Sequence, residues 1–190
     1  HFFPLNIINI NYSFNERRNL GFIKEVKSEF LFNTIHTDIQ KSSVIVFLSE
    51  ILNSVFREEL EVNQGLFDFL LNSLLWYDNI KECNNFHIKF LIELSKYIGF
   101  HPNIRNKEDM YFCLESGSTS NTKPVAGKIE GEDLNLFKKL LGTKFEDLNT
   151  ISVNRESRTR ILNKIIDYYS LHLQMFKTPK SIHVFAEVFK

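Results

Sequence analysis

The spacing of apolar residues changes about thirty residues from the start of the chain. In "PLNIINI" and "GFIKEVKSEF", apolar and polar positions alternate, as they do in strands that turn one face toward a core. The polar stretch "NYSFNERRN" lies between them and predicts a turn-rich connection. We therefore predict a hairpin in this region. Because an isolated hairpin is only marginally stable in water, we expect it to need partner strands.

Helical spacing begins near Ile35. Apolar residues then recur at steps of three and four in "TDIQKSSVIVFLSEILNSVFREE", "NQGLFDFLLNSLLWYDN" and "NNFHIKFLIELSKYIG", and three such helices in a row indicate a bundle. Thr37 or Asp38 is the predicted N-cap of the first helix. The spacing predicts that the mostly apolar face of this helix comprises Ile39, Ser43, Val46, Phe47, Glu50, Ile51, Ser54 and Val55.

An irregular insertion at about residues 101–131 interrupts the helices. Here "MYFCLESGS" predicts one short strand and a turn, and "STSNTKPVAG" predicts a loop. Helical spacing returns in "GEDLNLFKKLLG", with Gly142 as its C′ residue, and in "NRESRTRILNKIIDYYSLHLQMF", with Asn154 as its N-cap. A last short helix is predicted at about residues 181–189. The predicted fold class is mainly α, a helical bundle preceded by strands.

Composition excludes several classes of protein. Of the 190 residues, 43% are hydrophobic, but no window approaches the roughly eighteen consecutive apolar residues of a membrane span. The beginning of the chain lacks the basic lead and the cleavage site of a secretory signal. We therefore predict a cytoplasmic protein without a membrane partner. Two cysteines are too few for a disulfide framework and are half the number in a four-cysteine zinc site.

Catalytic signatures are missing from the sequence. It has no G-x-S-x-G, P-loop, glycine-rich dinucleotide turn or H-E-x-x-H motif. The carboxylate runs "REELE" and "EGED" are typical of solvated helix ends. We predict no catalytic residue, no metal site and no cofactor, and hence a protein that is not an enzyme.

The charge distribution is more informative than the formal net charge of zero, which argues against a strongly basic nucleic-acid binder. Residues 41–150 carry 12 Lys and Arg against 16 Asp and Glu, whereas residues 151–190 carry 7 against 3. In the second segment, basic residues on one helix either contact DNA phosphates or form an ordinary exposed helix face, and the second interpretation is the simpler one. These candidates are Arg155, Arg158 and Lys164.

Taken together, the ordered stretches resemble the RecO family of DNA repair proteins. They are "FFPL", "IKEVK", "KSSVIVFLSEIL", "LFDFLLNSL", "NFHIKFLIELSKYIGFHPN", "NRESRTRILNKIIDYYSLHL" and "KSIHVFAEVF", and they cover nearly the whole chain. The motif that is fairly characteristic of the family comprises Phe90, Leu94, Ile98, Gly99, Phe100 and Pro102.

The resemblance implies a domain organisation. RecO proteins begin with an OB-fold barrel, so residues 1–30 look like the last strands of a truncated barrel, and residues 31–190 look like the helical domain. Many RecO proteins hold zinc with four cysteines after the third helix, where this chain has only Cys113. The resemblance therefore implies a zinc-free variety. We expect packing of Tyr111, Phe112 and Leu114 to hold the loop instead.

The resemblance also implies a function. RecO proteins bind and anneal single- and double-stranded DNA and pair with RecR. They bind the acidic C-terminal tail of single-stranded-DNA-binding protein, help to load RecA and are not known for covalent chemistry. We predict that Lys89, with Phe86 and Phe90, receives that tail. Another set of basic residues either contacts DNA or only solubilises a sheet edge, and it comprises Arg17, Arg18, Lys24 and Lys27. The alternative to a DNA repair mediator is a helical protein-interaction module that meets an acidic partner protein.

Overall fold

The structure is a computed structural model that describes residues 2–15, 20–57, 63–82 and 84–182. The predicted mainly helical fold is confirmed, with two small antiparallel sheets added to the helices. The helices are α1 (Ile39–Val55), α2 (Gln64–Asn79), α3 (Phe86–Tyr97), α4 (Gly131–Gly142) and α5 (Arg155–His172). The strands are β1 (Ile8–Asn15), β2 (Leu20–Ser28), β3 (Tyr111–Cys113), β4 (Ser118–Ser120) and β5 (Lys128–Glu130). The predicted helix at residues 181–189 lies almost wholly outside the described residues.

Strands β1 and β2 form the hairpin that the alternating pattern predicts. The boundary predicted for its connection was wrong, because β1 continues through "NYSFN" as far as Asn15. Tyr12 and Phe14 extend the alternation that Ile8 and Ile10 begin, so the strand persists into polar sequence.

None of the helices in the described part of the chain combines the length and the hydropathy needed to cross a membrane.

Side-chain caps explain where α1 and α5 begin. The Asp38 carboxylate accepts hydrogen bonds from the backbone N–H groups of Gln40 and Lys41, each at 2.9 Å, and so begins α1. Asn154 caps α5 through the N–H of Ser157 at 2.8 Å. The prediction that Gly142 is a C′ residue was wrong, since Gly142 is the last residue of α4.

The core surrounds α1, but the face predicted for this helix was partly wrong. Ile39 is 74% exposed and Val46 is 41% exposed. Because α1 is apolar on most sides, its spacing does not determine which side turns inward. The buried apolar residues of α1 are Val44, Ile45, Phe47, Leu48, Ile51, Leu52 and Val55.

A buried polar cluster joins the segment before α1 to the end of α2. The Asp78 carboxylate accepts hydrogen bonds from the backbone N–H groups of Asn33 at 2.8 Å, Thr34 at 2.7 Å and Ile35 at 3.0 Å. The Lys41 ammonium donates to the Thr34 hydroxyl at 2.7 Å and to the Asp78 carbonyl oxygen at 3.1 Å. The bonds to Asp78 connect residues that lie 37 to 45 positions apart in sequence.

The insertion forms a three-stranded sheet in the order β4–β3–β5, where the sequence predicted one strand and a loop. The loop prediction was wrong at β4, whose residues are polar and yet buried. Thr119 explains this, because its hydroxyl accepts from the N–H of Arg105 at 2.9 Å and its own N–H donates to the Asn103 carbonyl at 3.0 Å. Hydrogen bonding therefore makes a polar strand stable in the interior.

Gly117, in the turn between β3 and β4, is expected to tolerate no side chain. Its φ is +63°, and a Cβ there would lie 2.6 Å from the Tyr168 hydroxyl oxygen. We expect Gly117→Ala to lower the free energy of unfolding by about 3 kcal/mol, from left-handed backbone strain and a steric clash. Gly131→Ala is the matched control, because φ is +62° and no atom lies within 4 Å of the added Cβ. It should lose about 1 kcal/mol.

Urea denaturation of Gly117→Ala and Gly131→Ala measures how much free energy of unfolding each variant loses. Equal losses would contradict the steric part of this prediction. Removing the hydroxyl by Tyr168→Phe should recover stability in the Gly117→Ala background. In the unchanged protein, the same substitution should only destabilise, because the hydroxyl donates to the Phe100 carbonyl at 2.5 Å.

Candidate nucleic-acid interface

The hairpin has two chemically different faces. Along β1 the side chains alternate, and the cross-strand partners on β2 follow the same division. The apolar face comprises Ile8, Ile10, Tyr12 and Phe14 of β1 and Ile23 and Val26 of β2. The polar face comprises Asn9, Asn11, Ser13 and Asn15 of β1 and Leu20, Phe22, Glu25 and Lys27 of β2.

The apolar face is largely open in this structure. Tyr12 is 65% exposed, Phe14 is 54% exposed and Ile23 is 59% exposed. The Phe14 ring lies across the hairpin over Gly21, with a ring carbon 3.5 Å from the position of a Cβ there. A sheet face with this many exposed apolar side chains has the composition of a face that packs against other structure.

The lysines predicted on the hairpin are both exposed. The Lys27 ammonium lies 2.9 Å from the Glu25 carboxylate, so part of its charge is neutralised. Lys24 is the additional residue of a bulge, since Asn11 pairs with Glu25 and Tyr12 pairs with Ile23. Arg17 and Arg18, which belong to the same prediction, lie outside the described residues.

The segment before β1 attaches the hairpin to the helical part. The Phe3 and His36 rings stack with their centroids 5.2 Å apart, and His36 Nε2 lies 3.0 Å from the Pro4 carbonyl oxygen. The Glu29 N–H donates to the Ile7 carbonyl at 2.9 Å, which extends the pairing of the hairpin beyond its strands. The hairpin is therefore held against the start of the helical part.

The basic residues predicted on α5 do not form one free cationic face. Arg155 is exposed, whereas Arg158 is half-buried and donates from Nη2 to the Val153 carbonyl at 2.9 Å. The Lys164 ammonium lies 3.9 Å from the Asp167 carboxylate. Arg160 makes two hydrogen bonds of 2.9 Å to Asp133 on α4. Arg160 therefore connects α5 to α4, whereas these contacts of Arg158 and Lys164 are local to α5.

Comparison with known proteins gives the family. The family model described as "Recombination protein O C terminal" matches residues 36–182, which is more than half of the chain. The chain belongs to the RecO family. Relatives named DNA repair protein RecO are 41% identical in Flavobacterium psychrophilum, 38% in Flavobacterium johnsoniae and 34% in Phocaeicola vulgatus. The match covers 99–100% of this chain and 78–79% of those relatives. No solved structure matches the chain.

Membership in the RecO family makes this a DNA repair and recombination protein. The matched region begins at His36 and includes helices α1 to α5 and the three-stranded sheet of the insertion. The hairpin lies before that region, although alignment to the RecO relatives extends over it as well. The family match therefore concerns chiefly the helical part.

The three residues predicted to receive the acidic tail of single-stranded-DNA-binding protein are buried in this structure. Phe86 and Phe90 are both 0% exposed, in a cluster of aromatic rings, so neither ring is open to a peptide. Lys89 is 3% exposed, and its ammonium donates to Glu93 at 2.6 Å and to the Leu141 carbonyl at 3.1 Å. Lys89 thus bonds to the C-terminal end of α4, where a cation is favourable. It would have to leave both partners before it could receive a carboxylate.

The insertion does not fit the four-ligand zinc site that many RecO proteins have. Zinc sites use four Cys, His or acidic side chains, and the third residue after Cys113 is Ser116. Within the described ranges, no group of three or more His, Cys, Asp or Glu residues could hold a metal ion.

Partial burial alone would raise the pKa of the Cys113 thiol. Hydrogen bonds from Ser116 and from the Glu115 backbone outweigh burial, so that pKa lies below its ordinary value.

Packing and hydrogen bonds hold the insertion against α5. Phe112 and Leu114 are buried, and Tyr111 is half-buried. The Phe112 ring lies 5.7 Å from the Tyr168 ring, and His172 Nε2 lies 2.8 Å from the Leu114 carbonyl oxygen. Contacts to one long helix therefore stabilise this sheet.

Proposed function

We propose that the chain is a non-enzymatic mediator of DNA repair and recombination. In this proposal it binds single- and double-stranded DNA, anneals complementary strands and pairs with RecR. It contacts the acidic tail of single-stranded-DNA-binding protein and helps to load RecA on strands coated by that protein. The observation that carries the proposal is the match of the RecO family over residues 36–182.

The hairpin supports a two-part organisation. We propose that residues 1–30 are the last strands of an OB-fold barrel and that residues 31–190 are the helical domain. The exposed apolar face of the hairpin supports this assignment, because the missing strands of a barrel would cover that face. The RecO relatives also contain about a fifth more sequence than the match covers, which leaves room for further strands.

The DNA contacts proposed on the hairpin come from Lys24 and Lys27, together with Arg17 and Arg18 of the connection. On α5 the proposed contacts are Arg155, Arg158 and Lys164. Arg155 is exposed, whereas Arg158 and Lys164 are half-buried. Cations that replace the counterions of DNA make binding weaker as salt rises.

Fluorescence anisotropy of a labelled single-stranded oligodeoxynucleotide tests the DNA-binding part in the full-length protein. We expect binding at roughly 50 mM salt that weakens markedly at roughly 200 mM. Replacing both Lys24 and Lys27 by alanine should reduce the affinity and its salt dependence. Lys139→Ala, which removes an exposed charge from α4, is the control and should change neither. Absence of binding at low salt would contradict the proposal.

The second candidate is a helical protein-interaction module without DNA binding. The formal net charge of zero and the ion pairs of Lys27, Arg160 and Lys164 favour it, because both reduce the attraction to phosphates. Annealing of complementary strands coated with single-stranded-DNA-binding protein separates the two candidates. The mediator accelerates annealing, whereas an interaction module leaves the rate unchanged.

A further inference from the structure

We propose that the polar face of the hairpin binds single-stranded DNA and that the Phe22 ring stacks on a base there. This inference rests on the proposed DNA-binding function, and it names one contact that recognises a base. The sequence showed 19 phenylalanines, most of which must fill the core. Phe22 differs from those because it lies on a face that has the composition of a solvated surface.

The surroundings of Phe22 favour contact with a flat partner. Its side chain is 58% exposed, and it lies across the hairpin from the small residue Ser13. The other β1 residues of this face are three asparagines, whose amides are suited to hydrogen bonds with bases or phosphates. An exposed aromatic ring among such residues has the arrangement of a stacking position for single strands.

A groove continues the polar face away from the connection between the strands. It has a volume of about 570 Å³ and is lined by Asn9, Asn11, Glu25 and Lys27 among others. Glu25 and Glu29 bring negative charge to this end. Lys27 is a cation at this end, and we expect further phosphate contacts at the other end, beside Phe22. Lys24, the exposed residue of the bulge, is two positions from Phe22 in sequence and supplies positive charge near this end.

The apolar face is the less suitable surface for DNA. Its side chains are almost all apolar, so it offers few hydrogen-bond partners and no charge to a phosphate backbone. If other strands cover it, the polar face becomes the outer surface of the sheet. The two aromatic positions Phe22 and Phe14 then have opposite roles, although they lie on neighbouring strands and have similar exposure.

Phe22→Leu in the full-length protein is the central test, because leucine keeps an apolar side chain and removes the aromatic ring. The probe is a labelled oligothymidylate, and a second probe carries base-free sugars at successive positions. We expect Phe22→Leu to weaken binding of the intact probe about tenfold, in line with the loss of one stacked base. One of the base-free probes lacks the base that stacks on Phe22. Phe22→Leu should not weaken binding of that probe any further.

The controls separate failure of this inference from failure of the proposed function. Phe22→Trp should restore the affinity, and Phe14→Leu on the apolar face should leave it unchanged while lowering thermal stability. If the unchanged protein binds the probe and Phe22→Leu binds it equally well, the stacking contact is wrong and DNA binding stands. Lower thermal stability with unchanged affinity would show that Phe22 packs against protein. If the unchanged protein does not bind at low salt, the proposed function itself fails.

Discussion

Asp78→Ala is expected to lower the free energy of unfolding by about 4 kcal/mol. The side chain is 5% exposed and accepts hydrogen bonds from three consecutive backbone N–H groups. Removing it leaves the buried N–H of Ile35 and the half-buried N–H of Thr34 without this acceptor, and a buried group that loses its partner costs about 1–3 kcal/mol. Because the same cluster holds Lys41, the loss also weakens the junction between α1 and α2.

The dependence of the free energy of unfolding on pH, measured at low pH, tests the role of Asp78 in a second way. Burial alone would raise the pKa of Asp78, but the hydrogen bonds from Asn33, Thr34 and Ile35 outweigh it and lower that pKa below 3.8. A carboxylate with a lowered pKa contributes stability above its unfolded value, and this contribution is lost as the pH falls below about 3.8. Asp78→Asn should therefore remove part of the acid sensitivity below about pH 4.

Urea denaturation at neutral pH measures the loss, with Asp68→Ala as the matched control. Asp68 lies on the same helix, but it is exposed and accepts a hydrogen bond from the Gln64 side chain at 2.8 Å rather than from the backbone of a distant segment. Its removal should change stability by less than about 0.5 kcal/mol. Equal stability of Asp78→Ala and Asp68→Ala would show that the cluster does not hold the junction.

Local signals predicted the helices well because their causes are local. Asp38 and Asn154 cap α1 and α5 through groups two or three residues away, which a sequence reader can recognise. The side of a helix that faces the core is not set by local signals alone. On α1 apolar residues occur on nearly every side, so only contacts with the other helices determine that Val46 is exposed and Leu48 is buried.

The burial of polar residues on strand β4, and of Lys89, could not be predicted because it depends on partners that are distant in sequence. Thr119 is stable inside only because Asn103 and Arg105 complete its hydrogen bonds. Lys89 looked like an accessible charge on α3, although its partner Leu141 lies 52 positions away. Such partners belong to the tertiary structure, and this explains why the resemblance gave the family correctly but did not reveal that Lys89 is buried.

His87 should make the protein sensitive to mild acid. It lies on α3 and is 0% exposed. Its ring meets the Phe47 ring edge-on, with the two ring centroids 6.4 Å apart. Burial, and secondarily the positive charge of Arg158, lower the pKa of this imidazole to about 3 from its ordinary value of 6.5. Between these two values the unfolded chain binds a proton that the folded protein does not bind. Stability therefore falls as the pH falls from 6.5 toward 3.

The size of this effect follows from the difference between the two pKa values. One unit corresponds to about 1.4 kcal/mol, so the full contribution is on the order of 4–5 kcal/mol. His87→Leu cannot take up this proton when it unfolds, so its stability should fall less steeply below pH 6.5. Denaturation of both proteins at several pH values gives the difference between their stabilities. That difference should change by up to about 1.4 kcal/mol per pH unit in favour of the variant.

Comparison of the two proteins isolates His87 from other acid-sensitive groups. His101 also has a lowered pKa, caused mainly by burial, but it is present in both proteins and its contribution cancels. Proton NMR gives a direct check, since the His87 ring signals should keep their neutral positions through the range in which an exposed histidine titrates. A titration of His87 near pH 6.5 in the folded protein, or parallel stability profiles, would contradict the prediction. Either result would mean that water or an acidic group reaches this ring in the folded protein.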